Sequence, residues 1–185
     1  MHSDLAQMDS IIGQFLDYAK PFDTNNLETI DLAGLLEDVA AKSSRLADVK
    51  ITTQITPATE VAGNGTELAR VFSNLVENAR RYGKTADSDC AEIHIRSRIE
   101  GQQVVVEVFD HGSGVPENEC ERLLRPFTRL DTARGQANGS GLGLAIVNRI
   151  VLKHNGKLVL KGHEEHYGGL LVQISLPLKG HRRHA

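Results

Sequence analysis

The chain has 185 residues, 40% hydrophobic and 24% charged, with a formal net charge of -3. One full domain with an appendage fits that length, two ordinary domains do not, and the composition excludes a disordered chain. The acidic balance argues against a nucleic-acid binder, which needs a basic excess to meet phosphates, while aromatics at 4% and the absence of Trp require an aliphatic core.

Residues 1–20 carry Leu5, Met8, Ile12, Phe15 and Ala19 in the alternating three-and-four spacing of a heptad seam. Asp4, Gln7, Asp9 and Asp17 keep the other faces polar, and Pro21 stops the pattern. Such a stub reads either as the end of a longer bundle helix, which the seam and the proline favour, or as a helix packed on its own domain. Residues 21–30 form a polar linker shading into a short strand at Ile30. Asp31 then caps a helix with Leu32, Leu35, Leu36, Val39 and Leu46 inward. Val49 to Ile55 alternates as a strand. Asn64-Gly-Thr-Glu67 opens a second helix, with Thr66 as candidate cap, and Leu68, Val71, Phe72, Leu75, Val76 and Ala79 form its apolar stripe. Strands follow at Ile93–Ile99 and Val104–Asp110, joined by a turn at Glu100-Gly-Gln102.

The stretch from Gly112 to Gly143 reads as a long functional loop. Leu144 to Lys153 is an apolar helix, Leu158–Leu160 and Leu170–Leu176 are strands, and residues 180–185 form a basic tail. Cys90 and Cys120 lack metal-ligand spacing and read as inert thiols of a reducing cytosol. No run is long and apolar enough for a membrane span, and no secretory signal opens the chain. Helices mixed with hairpin-like strands predict, over 31–179, an α/β two-layer sandwich: a mixed sheet with helices on one face, preceded by the helical stub.

Three local patterns carry chemistry. Asn74 and Asn78 are four apart, so both amides share one edge of the second helix, and Arg81 continues that edge. An amide oxygen serves as a Mg2+ ligand when phosphates and waters complete the shell, and a cation one turn on can meet a phosphate. Alone, the pair reads equally as a solvated helix face. In Val104–Asp110, alternation places Asp110 on the apolar face with Val104, Val106 and Val108, where Gly112 and Gly114 let the backbone turn. A buried carboxylate needs donors, which an exocyclic amine of adenine would supply; the structural alternative is an Asx-turn cap. Finally, Asn138-Gly139-Ser140-Gly141-Leu142-Gly143 leads into a helix, and free backbone N–H groups at a helix start attract anions. No strand precedes it directly and no Gly-Lys-Ser/Thr follows, so neither a dinucleotide fingerprint nor a P-loop fits.

In that order, Asn74/Asn78, Asp110-His-Gly-Ser-Gly114, Leu124-Arg-Pro-Phe127-Thr-Arg129 and Gly139-Ser-Gly-Leu-Gly143 resemble the N, G1, F and G2 boxes of sensor histidine kinases. His154-Asn-Gly156 through Leu176-Pro177 resembles the close of that domain. The seam and the lid are most similar to the osmosensing kinases of Gram-negative bacteria. The resemblance implies a Bergerat-type ATP-binding fold with a lid between the F and G2 boxes. By motif match, Asn78 would hold Mg2+, Asp110 the adenine amine with Gly112 and Gly114 at its turn, and Arg81 and Tyr82 phosphates or ribose. Gly139, Ser140, Gly141, Leu142 and Gly143 would wrap the triphosphate. Arg129 and Arg134 are candidate phosphate clamps, with ordinary loop solvation as the alternative. Asn74, Asn78 and Arg134 are the expected catalytic positions. Phe127 is expected to bury its ring and dock the lid, and His111 and His154 to be turn and packing residues.

Members of this fold that hydrolyse ATP, such as gyrase and the heat-shock chaperone, resemble one another in placing a Glu one turn before the Mg2+ asparagine. Asn74 takes that place here and cannot accept a proton. Glu77 adjoins Asn78 but is rotated off its edge. Little ATPase activity is therefore expected, with transfer instead to a histidine on the protein's own dimerisation and phosphotransfer domain and then to a response regulator. No histidine here sits in the acceptor setting His-Glu/Asp-x-x-Thr/Asn-Pro, so the chain should bind ATP with Mg2+ without phosphorylating itself. The resemblance further implies an inner-membrane, homodimeric parent, with this part cytoplasmic and weakly dimeric or monomeric. A stand-alone ATPase or chaperone module and a serine kinase regulating sigma factors are the alternatives; the missing Glu weighs against the first, and the Phe127 box and heptad seam against the second.

Overall fold

A computed structural model of the chain describes residues 12, 13, 16, 27–85, 87–130, 140–162 and 168–179. Its elements are β1 (Glu28–Asp31), α1 (Leu32–Ser43), β2 (Val49–Gln54), β3 (Glu60–Gly63), α2 (Gly65–Tyr82), β4 (Ala91–Glu100), β5 (Gln103–Asp110), α3 (Glu117–Leu123), α4 (Gly143–Lys153), β6 (Lys157–Lys161) and β7 (Leu171–Pro177). Five strands form one sheet in the order β2-β4-β5-β7-β6, and β1 and β3 form a second, two-stranded sheet. The large sheet is mixed: β2 runs parallel to β4, and every other pair is antiparallel. Helices cover one of its faces, as the sequence predicts.

Alternation sets the two faces. Ile93 and Ile95 of β4, Val104, Val106 and Val108 of β5, and Ile174 and Leu176 of β7 point inward and are at most 2% exposed. Against them lies the α2 stripe of Leu68, Val71, Phe72, Leu75, Val76 and Ala79, every member buried. Each Leu, Val or Phe side chain of the stripe contributes roughly 1.5–3 kcal/mol on burial, which is why this helix can carry polar amides along its edge. Leu36 and Val39 of α1 and Ile146, Val147 and Ile150 of α4 complete the layer.

Local signals fix where the helices begin. Asp31 caps α1, its Oδ1 accepting from Gly34 N at 3.1 Å. The cap of α2 is Asn64, whose Oδ1 accepts from Glu67 N at 3.0 Å. This corrects the expectation of Thr66: the helix starts at Gly65, so Thr66 already lies inside its first turn. His154, 4% exposed, fastens the same end, because its Nε2 accepts from Asn64 N at 3.0 Å. Its proton therefore sits on Nδ1, which donates to Ile150 O at 2.8 Å. That is the packing role expected for it.

Three further expectations are corrected. Leu46 is 42% exposed because α1 stops at Ser43, before reaching it. The stretch read as one long loop contains α3, which buries Cys120 and Leu123. Phe127 is 59% exposed rather than buried; its backbone has φ 60°, turning the ring outward shortly after α3. Of the amino-terminal seam, only Ile12 is described, with helical backbone and 51% exposed; Leu5, Met8, Phe15 and Ala19 lie outside the described residues, as does the basic tail.

Candidate nucleotide site

The second half of α2 touches the ends of two other elements, and those two contacts define the site. Near its close, Gly83 lies against Asp110, the last residue of β5: a Cβ there would fall 2.6 Å from the Asp110 Cβ. Gly112 approaches from the other side, where a Cβ would strike Tyr82 O and come within 2.7 Å of Gly83 Cα. Helix and strand end can meet this closely only because neither glycine carries a side chain. Gly83 and Gly169, which also abuts Asp110, are site positions that the sequence reading missed. The helix-ending Tyr82-Gly83 step was the available signal for the first.

Asp110 is 5% exposed. Its Oδ1 accepts from Gly112 N at 2.9 Å and from Leu170 N at 3.4 Å. The Asx-type cap and the buried carboxylate, posed as alternatives by the sequence, thus coexist in one residue, each hydrogen bond falling on Oδ1. Burial pushes the carboxyl above its ordinary range, and the Gly112 and Leu170 N–H groups and the His111 charge counter that shift only in part. A buried acceptor of this kind is suited to a ligand that brings a donor.

One and a half turns earlier, half-buried Asn78 faces the first turn of α4. A Cβ on Gly143 would lie 3.6 Å from Asn78 Oδ1 and 3.9 Å from Nδ2. α4 starts without a side-chain cap, and Leu142 N donates to Ser140 Oγ at 3.2 Å. Its opening N–H groups and positive dipole end thus stand beside a neutral amide, a pairing able to take an anion together with a hard cation. Gly141, at φ 70°, is overlaid by the Phe127–Thr128 turn, and a Cβ there would lie 2.8 Å from Thr128 O. The F and G2 stretches are therefore in contact.

Of the residues named from sequence, Asn78, Asp110, Gly112, Gly141 and Gly143 fall on these contacts, with Ser140 and Leu142 between them. Asn74 is half-buried one turn before Asn78, and Gly114 (φ 68°) continues the turn after Asp110. Arg81 Nε is paired to Glu77 Oε1 at 2.7 Å, and Tyr82 is 41% exposed at the end of α2. Arg129 is half-buried, whereas Arg134 and Gly139 lie outside the described residues. Glu77, which also meets Arg80 at 3.3 Å, is engaged on the flank of the helix.

The pattern of the family described as histidine kinase-, DNA gyrase B- and HSP90-like ATPase matches residues 63–180. The sensor histidine kinase GtrS of Pseudomonas aeruginosa is 34% identical over 180 residues, covering 96% of this chain and 35% of its own length. Among solved structures, the mycobacterial sensor histidine kinase MprB superposes with a TM-score of 0.70 at 26% identity, covering 83% of this chain and 98% of that one. The histidine kinase domain of the Escherichia coli osmosensor EnvZ, determined by NMR, gives 0.62 at 33% identity, covering 90% and 96%. The chain spans about a third of the length of the curated relatives it matches. With the mixed sheet, the helical layer and the three apposed ends, these likenesses agree: the chain belongs to the histidine kinase-, DNA gyrase B- and HSP90-like ATPase family, as an ATP-binding catalytic domain of the sensor histidine kinase type.

Proposed function

We propose that this domain holds ATP with Mg2+ along the second half of α2 and presents the γ-phosphoryl group to a histidine on a separate dimerisation domain, from which a response regulator receives it. One observation carries the reading: α2 touches the Asp110 turn at one end and faces the uncapped start of α4 at Asn78. The two contacts are five residues apart, about 7.5 Å along a helix axis, which suits a nucleoside lying between base and phosphate subsites. The residues present fit the ligand by their chemistry: a buried acceptor for the adenine amine, an amide oxygen for a hard cation, and helix-start N–H groups for phosphates.

Bound ATP with Mg2+ supplies the transferable phosphoryl group and the positive charge that screens it. Asp110 selects the base, Gly112 and Gly114 shape its turn, and Asn78 is the metal ligand. Ser140, Gly141, Leu142 and Gly143, with Gly139, receive the phosphates, while Arg129 and Arg134 serve as clamps and Arg81 and Tyr82 as phosphate or ribose contacts. Asn74 and the Arg-bound Glu77 provide no base for water, and a neutral imidazole needs none to attack phosphorus, so positioning and charge neutralisation suffice. Residues 31–179, together with the β1 residues from Glu28 that pair with β3 and that the sequence reading assigns to the linker, are the catalytic unit; 1–20 are the end of a dimerisation helix, 21–27 the linker and 180–185 a tail. Among the described residues no helix is long and apolar enough to cross a membrane; we assign any membrane anchor to the parent protein.

The test mixes the chain with a dimerisation domain bearing an acceptor histidine and supplies labelled ATP and Mg2+. Acid-labile phosphate should accumulate on the added domain and none on this chain. Acid-stable phosphate, or no transfer between folded partners, would overturn the assignment.

A further inference from the structure

The sheet face turned away from the helices carries a group of side chains that the nucleotide site does not use. Successive strand residues point to opposite faces, so Phe109 projects away from the layer that Asp110 faces. His94 of β4 is its register partner, and the two rings stack with centroids 4.6 Å apart and planes within 12°. The Arg96 guanidinium lies 4.7 Å from the Phe109 centroid. His111, directly after Asp110, meets His94 edge-on with centroids 5.0 Å apart and planes at 86°, and their Nε2 atoms are 3.0 Å apart. The residues on either side of Asp110 are therefore both anchored to one ring on the neighbouring strand.

We propose that His94 and His111 are a positioning pair that holds the Asp110 turn in place from behind the sheet, and that this hold is released when both rings carry a proton. The proposal rests on the reading of Asp110 as the adenine-binding carboxylate. Its logic lies in the Nε2–Nε2 contact. One ring must present N–H and the other a lone pair, an arrangement open to two neutral rings or to a single charge. Two imidazolium rings would instead oppose two donors and two like charges. Among the described residues, the titratable and charged groups facing the pair are Glu92 and Arg96 on β4, Lys50 on β2 and Asp110 on β5. Glu92 is already paired with Lys50 at 2.8 Å, so its carboxylate does not fully offset a second imidazolium, and the Lys50 ammonium adds to the repulsion. Burial, followed by the His111 and Arg96 charges, pushes the His94 imidazole below the 6.5 ordinary for histidine. A group so depressed favours the neutral, paired form, which is complete above that ordinary value and lost as pH falls through the lowered one.

The test is calorimetric titration of the whole chain with ATP and Mg2+ from about pH 8 to about pH 5.5, on wild type, His94→Gln and His111→Asn. Wild-type affinity should be level at the alkaline end and then fall by about tenfold per pH unit, the slope of one coupled proton. Each variant should bind several-fold more weakly at the alkaline end, with a shallower acid limb. Binding with superimposable acid limbs would overturn the pair alone. Absence of ATP binding by the wild type at about pH 8 would overturn the nucleotide reading and this proposal with it. Nitrogen NMR of the wild-type imidazoles supplies a readout that needs neither nucleotide nor variant. At about pH 8 one of the two rings should carry its proton on Nε2 and the other on Nδ1, and the same tautomer in both would refute the contact.

Discussion

Asp110 concentrates the energetics of the site in one side chain. Burial lifts its carboxyl above the ordinary carboxylate range, against two backbone donors and the His111 charge. A carboxyl raised in the fold contributes stability that is complete below its unfolded value and is lost as pH rises through the folded one. Ionisation of Asp110 in the nucleotide-free domain is therefore unfavourable, and a ligand amine would relieve that cost. Asp110→Asn keeps an acceptor for Gly112 N and removes the charge. Thermal melts of the nucleotide-free variant at about pH 7.5 should lie about 2–4 °C above wild type, the shift that about 1 kcal/mol produces in a domain of this size. The gain should shrink as pH falls toward the ordinary carboxylate range, because protonation of Asp110 removes the charge from the wild type as well. ATP affinity should meanwhile fall at least tenfold, the value of about one charge-assisted hydrogen bond. A variant that lost affinity and also melted lower at neutral pH would contradict the assignment of the burial cost.

At the scale of elements, α2 explains what can and cannot be read from the chain. Its stripe is legible because six inward residues repeat at helical spacing and all six are buried. The β5 face is legible for the same reason at period two, and both predicted chemical ends of the site follow from those two elements. What escapes is set by contacts distant in sequence or by elements too short to show a period. β3 has four residues and exists through its pairing with β1. α3 has seven, with only Cys120 and Leu123 buried, which gives too little repeat to distinguish a helix from a loop. The outward turn of Phe127 depends on a positive φ that no apolar pattern encodes. The contact of Gly83 with Asp110 likewise appears only once β5 is laid beside the end of α2.

Two substitutions separate the roles of that helix. Asn64→Ala removes its cap and should cost about 1 kcal/mol of stability with ATP affinity unchanged, because the cap lies at the end away from Asp110. Gly112→Ala drives a methyl group into the backbone of Tyr82 and Gly83, so it should cost about 1–3 kcal/mol and weaken ATP binding as well. Denaturant melts paired with calorimetry would check both. Equal loss of affinity in the two variants would mean that α2 acts as one rigid body rather than through its Asp110 end.

For the whole molecule, the strand order matters more than any one element. β5 lies between β4, which directly precedes it in the chain, and β7, far downstream, so its end is supported by segments distant from each other in sequence, and the Asn78, Asp110 and Gly143 positions converge from separate stretches. A ligand spanning them would bind the folded domain and not the unfolded chain. Linkage then predicts that ATP with Mg2+ at a hundred times its Kd stabilises folding by about 2.7 kcal/mol, seen as a rise of roughly 5–10 °C in the Tm. The two subsites should contribute separably. Asn78→Ala removes the proposed metal ligand and leaves Asp110 in place, so its thermal shift with ATP should be small and indifferent to chelation of Mg2+. In the wild type, chelation should remove most of the shift. Asp110→Asn, with affinity at least tenfold lower, should lose about half of the shift or more in the presence of the metal. If chelation left the wild-type shift intact, Asn78 would be a helix-edge amide facing α4, with no part in holding a cation.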